Sequence, residues 1–116
     1  MQGCDAVIHT AALAGVAQTP KAFEHANIKA TEVLYAVAKE LKLAAFIHCS
    51  SPSVVFAGQS QRNIDESAPY PPHFLADYPR TKAISEQHVL QQGAVPACAL
   101  RPHLIWGAED RHLIPR

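Results

Sequence analysis

Tyr78 and Lys82 stand four residues apart in DYPRTKAISEQ, a spacing that on a helix places both side chains on one face, able to act on one ligand. A phenol with its ordinary pKa of about 10 is a poor acid or base at neutral pH, and an ammonium close by favours the phenolate. Lys82 supplies that charge. Ser51, just past an apolar run, would face the same crevice and donate a hydrogen bond to a carbonyl oxygen as negative charge builds on it. The three residue types together suit proton transfer at an oxygen-bearing carbon. A Tyr-x-x-x-Lys pair alone is an ordinary solvated helix face, so the elements around it decide its meaning.

Those elements alternate. Ala6 to His9 is a short apolar run leading into Thr-Ala-Ala-Leu-Ala-Gly, which suits a buried strand and a small-residue loop. After Pro20, the residues Phe23, Ala26, Ala30, Val33, Leu34, Val37 and Leu41 recur at intervals of three and four, predicting an amphipathic helix of about five turns. Ala44 to Cys49 is apolar without alternation, as in a strand covered on both faces. The Ser50 to Ala76 segment, rich in Ser, Pro, Gly, Asn and Asp, is a long loop of the kind that carries function, with Asp65 and Glu66 expected to fix it. Asp77 is placed to cap a second helix from about Tyr78 to Gln92, with Pro79 in its first turn and Gly93 ending it. Ala97 to Leu100 reads as a third strand, stopped by Arg101-Pro102.

The fold class expected is therefore α/β, an open parallel sheet with right-handed crossovers, helices on both faces, and ligands beyond the carboxyl ends of the strands. Three such ends follow: His9-Thr10-Ala11-Ala12, Ser50-Ser51-Pro52-Ser53 and Arg101-Pro102-His103-Leu104.

Composition narrows the function classes. The 116 residues, 48% hydrophobic and of zero formal net charge, amount to one globular unit or a piece of one. Ten basic residues balance ten acidic ones with no basic block, which leaves a nucleic-acid or anionic-membrane partner without an electrostatic basis and points to a small molecule. There is no apolar run of the roughly 18 residues a membrane-spanning helix needs. Cys4, Cys49 and Cys98 are odd in number and scattered, as expected of buried free thiols in a reducing compartment. The opening residues have no signal-peptide pattern, so a cytoplasmic location is expected by default. The seven histidines lack paired ligand spacing, and no metal is expected; Trp106 is expected to pack rather than stack on a ligand.

Taken in order, the motifs resemble the extended short-chain dehydrogenase/reductase superfamily of sugar epimerases, dehydratases and 3β-hydroxysteroid dehydrogenases. DAVIHTAA at Asp5 to Ala12 is similar to the family's fourth strand and cofactor-lining turn, and Asn27 in NIKATEVL to its structural asparagine. SSPSVVF at Ser50 to Phe56 resembles the serine loop, YPRTK at Tyr78 to Lys82 the active-site tyrosine and lysine, and LRPHLIWG at Leu100 to Gly107 the arginine-proline loop. SSPSVVFAG, IDESAPYP and RPHLIWGAEDRHLIPR resemble most the branch of 3β-hydroxysteroid dehydrogenases, sterol-4α-carboxylate 3-dehydrogenases and β-keto acid reductases.

The resemblance implies NAD or NADP as cofactor and a sterol, keto acid or nucleotide sugar as substrate. It implies Tyr78 as general acid/base and Lys82 on the nicotinamide ribose. It also implies Ser51 as the carbonyl-orienting hydroxyl, with Ser50 and Ser53 as alternatives and Ser53 favoured for substrate contact. Asn27 would stabilise a helix distortion and a water in a proton relay. His9, Thr10, Ala11 and Ala12 would approach the cofactor, and Pro102 and His103 would wall the nicotinamide. The family's Gly-x-x-Gly-x-x-Gly turn does not occur here, so residues 1–116 are expected to be the central to C-terminal portion of a dinucleotide-binding Rossmann domain whose first βαβ half is missing. An epimerase or dehydratase, and a non-catalytic truncated remnant, are the alternatives. Oligomeric state is not indicated.

Overall fold

Three short strands, Ala6–His9 (β1), Ala45–Cys49 (β2) and Ala97–Leu100 (β3), pair in parallel in the order β1-β2-β3. The computed structural model describes residues 1–15, 18–103 and 105–108; Leu104, in the expected third strand end, lies outside them. Register sets Val7 against Phe46 and His9 against His48, then His48 against Ala99.

Between β1 and β2 runs one continuous helix of three parts: Pro20–Phe23 (α1), a π-helical segment Glu24–Lys29, and Ala30–Glu40 (α2). Thr19 caps it, its hydroxyl accepting from the Ala22 N–H at 3.2 Å, and Pro20 fills the first position, where no donor is needed. The buried face is Phe23, Asn27, Thr31, Tyr35 and Ala38; of the apolar series read from the sequence only Phe23 is on it, and Val33 is 62% exposed. Two physical reasons account for the difference. The wide π turns stretch the repeat to four residues, and Asn27 and Thr31 are polar groups that can be buried because they are hydrogen-bonded.

The second long helix, Asp77–Gln92 (α3), begins with Asp77 as its first residue, not as its cap. The Asp77 carboxylate instead takes the Arg80 guanidinium at 2.8 Å, within the first turn. Gly93 ends the helix in the left-handed conformation, φ 65°, which glycine adopts without a Cβ penalty. A 3₁₀ turn, Pro52–Val55, lies within the long loop that precedes α3.

α2 and α3 pack on each other and on the same face of the sheet. The chain thus forms a Rossmann-type parallel sheet with flanking helices, but the expected two-faced covering is not what these residues build. Both crossovers step the same way across the sheet, and right-handed connections that step the same way must lie on the same side. β2 accordingly alternates, with Phe46 and His48 buried and Ile47 and Cys49 half-buried, while Ile8 (69%) and Leu100 (54%) are exposed on the open face. Cys98 shares that open face and Cys4 precedes β1, so both are exposed, contrary to the expectation of buried thiols; Trp106 is exposed as well.

On the covered side, Tyr35, Ala38, Leu43, Phe46, Val89 and Val95 form the main core. Tyr35 also staples α2 to the segment that leads into β3, its hydroxyl donating to the Val95 carbonyl (3.2 Å) and accepting from the Val95 N–H (3.0 Å). A second cluster, Val54, Val55 and Ala83, seats the 3₁₀ turn on α3.

Candidate active site

The site is assembled at the carboxyl ends of the strands by the first two turns of α3. Tyr78 is half-buried in the first turn. Lys82, one turn on, is 2% exposed and reaches across to β2, where its Nζ donates 2.7 Å to the Cys49 carbonyl and lies 3.4 Å from Nε2 of His48. Two residues beyond Cys49, Ser51 caps the 3₁₀ turn: its Oγ accepts from the Ser53 N–H (3.2 Å) and is 2.8 Å from the Ser53 hydroxyl. With Ser53 donating, the Ser51 proton is available to a third group. Ser50, the remaining alternative, has its backbone N–H on the Leu100 carbonyl (2.7 Å) and a buried hydroxyl without a partner.

Since the ammonium of Lys82 can only donate, His48 Nε2 accepts, which assigns the ring proton to Nδ1. Burial, reinforced by the charge of Lys82 and the neighbouring His9, pushes His48 down to about 3. His9 is lowered for the same two leading reasons, burial and then Lys82. Burial lowers Lys82 too, against the opposing influence of Cys49 and Glu86.

Asn27 organises the neighbouring wall. Its Oδ1 accepts from the Leu13 N–H (2.7 Å), and its Nδ2 donates to the Leu13 carbonyl (3.1 Å) and the Thr81 hydroxyl (3.0 Å). One amide side chain in the π-helical segment thus clamps the loop after β1 to Thr81, the residue before Lys82. Thr31 donates to the Asn27 carbonyl (2.7 Å) and meets His9 Nε2 (2.9 Å). The His9 ring therefore points into the sheet–helix interface, 5.4 Å from the His48 ring, and only its backbone is left to face the crevice. Thr10, Ala11 and Ala12 are exposed at the end of β1; past β3, Pro102 is half-buried and His103 exposed.

Residues that the sequence reading did not single out complete the picture. Glu86, wholly buried one turn past Lys82, accepts from the Tyr70 hydroxyl (2.7 Å) and from Arg101 Nε (3.1 Å) and Nη2 (2.5 Å). Burial would raise its carboxyl, but the bonds from Arg101 and Tyr70 outweigh this and hold it below its ordinary value. Burial and Glu86 together push Tyr70 up to about 12. The signal that marks Glu86 is the same four-residue step that links Tyr78 to Lys82, taken once more.

A parallel sheet with right-handed helical crossovers and polar side chains gathered at adjacent strand ends defines a portion of a Rossmann-type domain. The chain matches the 3-beta hydroxysteroid dehydrogenase/isomerase family over residues 1–116 and belongs to it. It is 41% identical to a 2-alkyl-3-oxoalkanoate reductase of Shewanella oneidensis, over 100% of this chain and 32% of that protein. It is 35% identical to a sterol-4-alpha-carboxylate 3-dehydrogenase of Candida albicans, over 97% of this chain and 33% of the relative. Among solved structures, the UDP-glucuronic acid 4-epimerase of Bacillus cereus in complex with NAD superposes with a TM-score of 0.72 at 32% identity, covering 86% of this chain and 32% of that one. The chain thus spans about a third of the length of these relatives. Among the described residues, no helix is long and apolar enough to cross a membrane.

Proposed function

We propose that residues 1–116 are the central to C-terminal portion of an NAD(P)-binding Rossmann domain in an oxidoreductase that interconverts a ketone and a secondary alcohol. The observation that supports this reading is the reach of Lys82 from α3, the helix that Tyr78 opens, to the Cys49 carbonyl at the end of β2, two residues before Ser51. NAD(P), when bound, supplies or accepts the hydride. The residues present fit its nicotinamide-ribose end. Thr10, Ala11 and Ala12 are small and exposed, so a ring can lie against their backbone, and Pro102 and His103 would form the facing wall. An ammonium has three donors; the Cys49 carbonyl and His48 engage two, leaving one for a ribose hydroxyl.

In the reductive direction Ser51 donates to the substrate oxygen and Tyr78 passes its proton there; in the oxidative direction Tyr78 takes it back. Ser53 orients Ser51 and borders the substrate, and Asn27 holds the start of α3 in place. The two named relatives share one substrate feature: 3-oxoalkanoate and sterol-4-carboxylate 3-dehydrogenase both place the reacting carbon β to a carboxylate. That class, a β-keto or β-hydroxy carboxylate, is the one we assign.

The test is NADH or NADPH oxidation by the full-length protein with a 2-alkyl-3-oxoalkanoate. Tyr78→Phe should reduce kcat by about 100-fold or more with the fold intact, and normal turnover by that variant would overturn the reading. The 32% identity to an epimerase favours a second reading, nucleotide-sugar epimerisation. Product analysis with UDP-glucuronic acid separates the two.

A further inference from the structure

Glu86 is 0% exposed, charged, and placed at the junction of three segments. Its own helix carries Tyr78 and Lys82, Tyr70 comes from the loop that follows the serine turn, and Arg101 directly follows β3. The Arg101 guanidinium also lies over the Tyr70 ring, 5.6 Å from its centre, so the two partners of the carboxylate touch each other. Beside the junction lies a groove of about 480 Å³, whose lining includes Pro52 and Val55 of the serine turn, Asp65 and Glu66 of the long loop, Glu86, and Arg101.

A buried ion pair gives little net stability over apolar packing of the same volume, because desolvation offsets most of the attraction. What it supplies is direction, since a carboxylate loaded by a guanidinium and a phenol admits only a narrow range of positions for both. We propose that Glu86 is a positioning residue for the reaction. Through Tyr70 and Arg101 it ties the long loop and the end of β3 to the helix that carries Tyr78 and Lys82, and with them the placement of the substrate carbonyl against Tyr78. The proposal rests on the reading of Tyr78 as the acid/base group.

The experiment uses the full-length protein with a 2-alkyl-3-oxoalkanoate. Glu86→Gln, which keeps size and removes charge, should lower kcat/KM per folded molecule by about tenfold, while the Kd of NADPH, read by fluorescence, stays within about twofold of wild type. Tyr70→Phe alone should lower kcat/KM about threefold, and it should add nothing in the Glu86→Gln background, because both act through one carboxylate. A purely structural role would lower Tm and leave kcat/KM per folded molecule unchanged; that result, or full additivity, overturns the proposal. If Glu86→Gln does not fold, Tyr70→Phe decides: a folded variant with wild-type kcat/KM overturns it, and the threefold loss upholds it. Tyr78→Phe in the same assay separates the two readings. Its retained activity would end the functional reading and this one together, whereas its normal loss beside an unaffected Glu86→Gln would end this one alone.

Discussion

Two polar clusters flank Lys82 on α3, and they are built on opposite principles. The one toward the helix start, Asn27 with Leu13, Thr31, Thr81 and His9, holds no formal charge and closes through amide, hydroxyl and imidazole bonds. The one a turn further on is an ion pair, Glu86 with Arg101, completed by the Tyr70 phenol. The neutral cluster joins segments that already pack closely, so each bond adds a modest net amount. The charged cluster joins a loop to a strand end that would otherwise be free to separate, and it cannot lose one member without stranding the other. Neutral bonds here tie the loop after β1 to α3, and charge ties the long loop and the end of β3 to it.

The largest effect expected from breaking this contrast is at Arg101. Arg101→Met should lower the free energy of unfolding by about 3–5 kcal/mol, because the Glu86 carboxylate is left buried without its counter-charge. The double variant Glu86→Leu/Arg101→Met should recover most of that loss in urea titrations. A double variant as unstable as the single would mean that packing, not charge, is the issue.

Acidification distinguishes the clusters next. Below pH 6.5 the imidazole of His48 takes a proton in the unfolded chain that the folded one refuses until about pH 3, so stability falls across that window as pH is lowered. At about 1.4 kcal/mol per unit, the loss between pH 6.5 and 4 is roughly 3 kcal/mol, with His9 adding in the same direction. The charged cluster holds on longer, since the lowered Glu86 carboxyl begins to lose its contribution only below its ordinary 4.5. His48→Gln should flatten the upper part of the urea stability–pH curve; an unchanged slope would remove His48 from the account.

Smaller changes follow. Asn27→Ala should cost about 2 kcal/mol, measured by thermal unfolding, since it leaves the Leu13 backbone and the Thr81 hydroxyl short of a partner. Ser50→Ala should change stability by no more than about 0.5 kcal/mol, because the hydroxyl it removes is buried and unpaired. A clear loss at Ser50 would place it inside the charged cluster.

The same contrast explains what was legible in the sequence. The three strands, the Gly93 stop and the Tyr78–Lys82 face follow from local pattern, and the structure has each where pattern places it. The buried face of the first helix was not legible. Apolar spacing gives no weight to an asparagine and a threonine that are buried because distant backbone satisfies them, and it assumes a constant turn that the π segment does not keep. Nor was Asp77: the residue type suits a cap, but Arg80 three residues on holds it inside the helix. The site was half legible. A four-residue step finds Tyr78 and Lys82, while the partners of Glu86 come from two other segments and become visible only when the sheet brings their ends together.

The π-helical segment also fixes how this gene can change in length. Each residue of an α-helix turns the chain by about 100°, so a single-codon deletion between Glu24 and Lys29 would tighten the wide turn into an ordinary one. The turns on either side would then keep their phase, with Phe23 and Tyr35 still on the buried face, and the change would fall on the wide turn itself, where Asn27 reaches Leu13 and Thr81. Reading frame and most of the helix would survive such a deletion, and the cost would be the Asn27 clamp between the loop after β1 and α3.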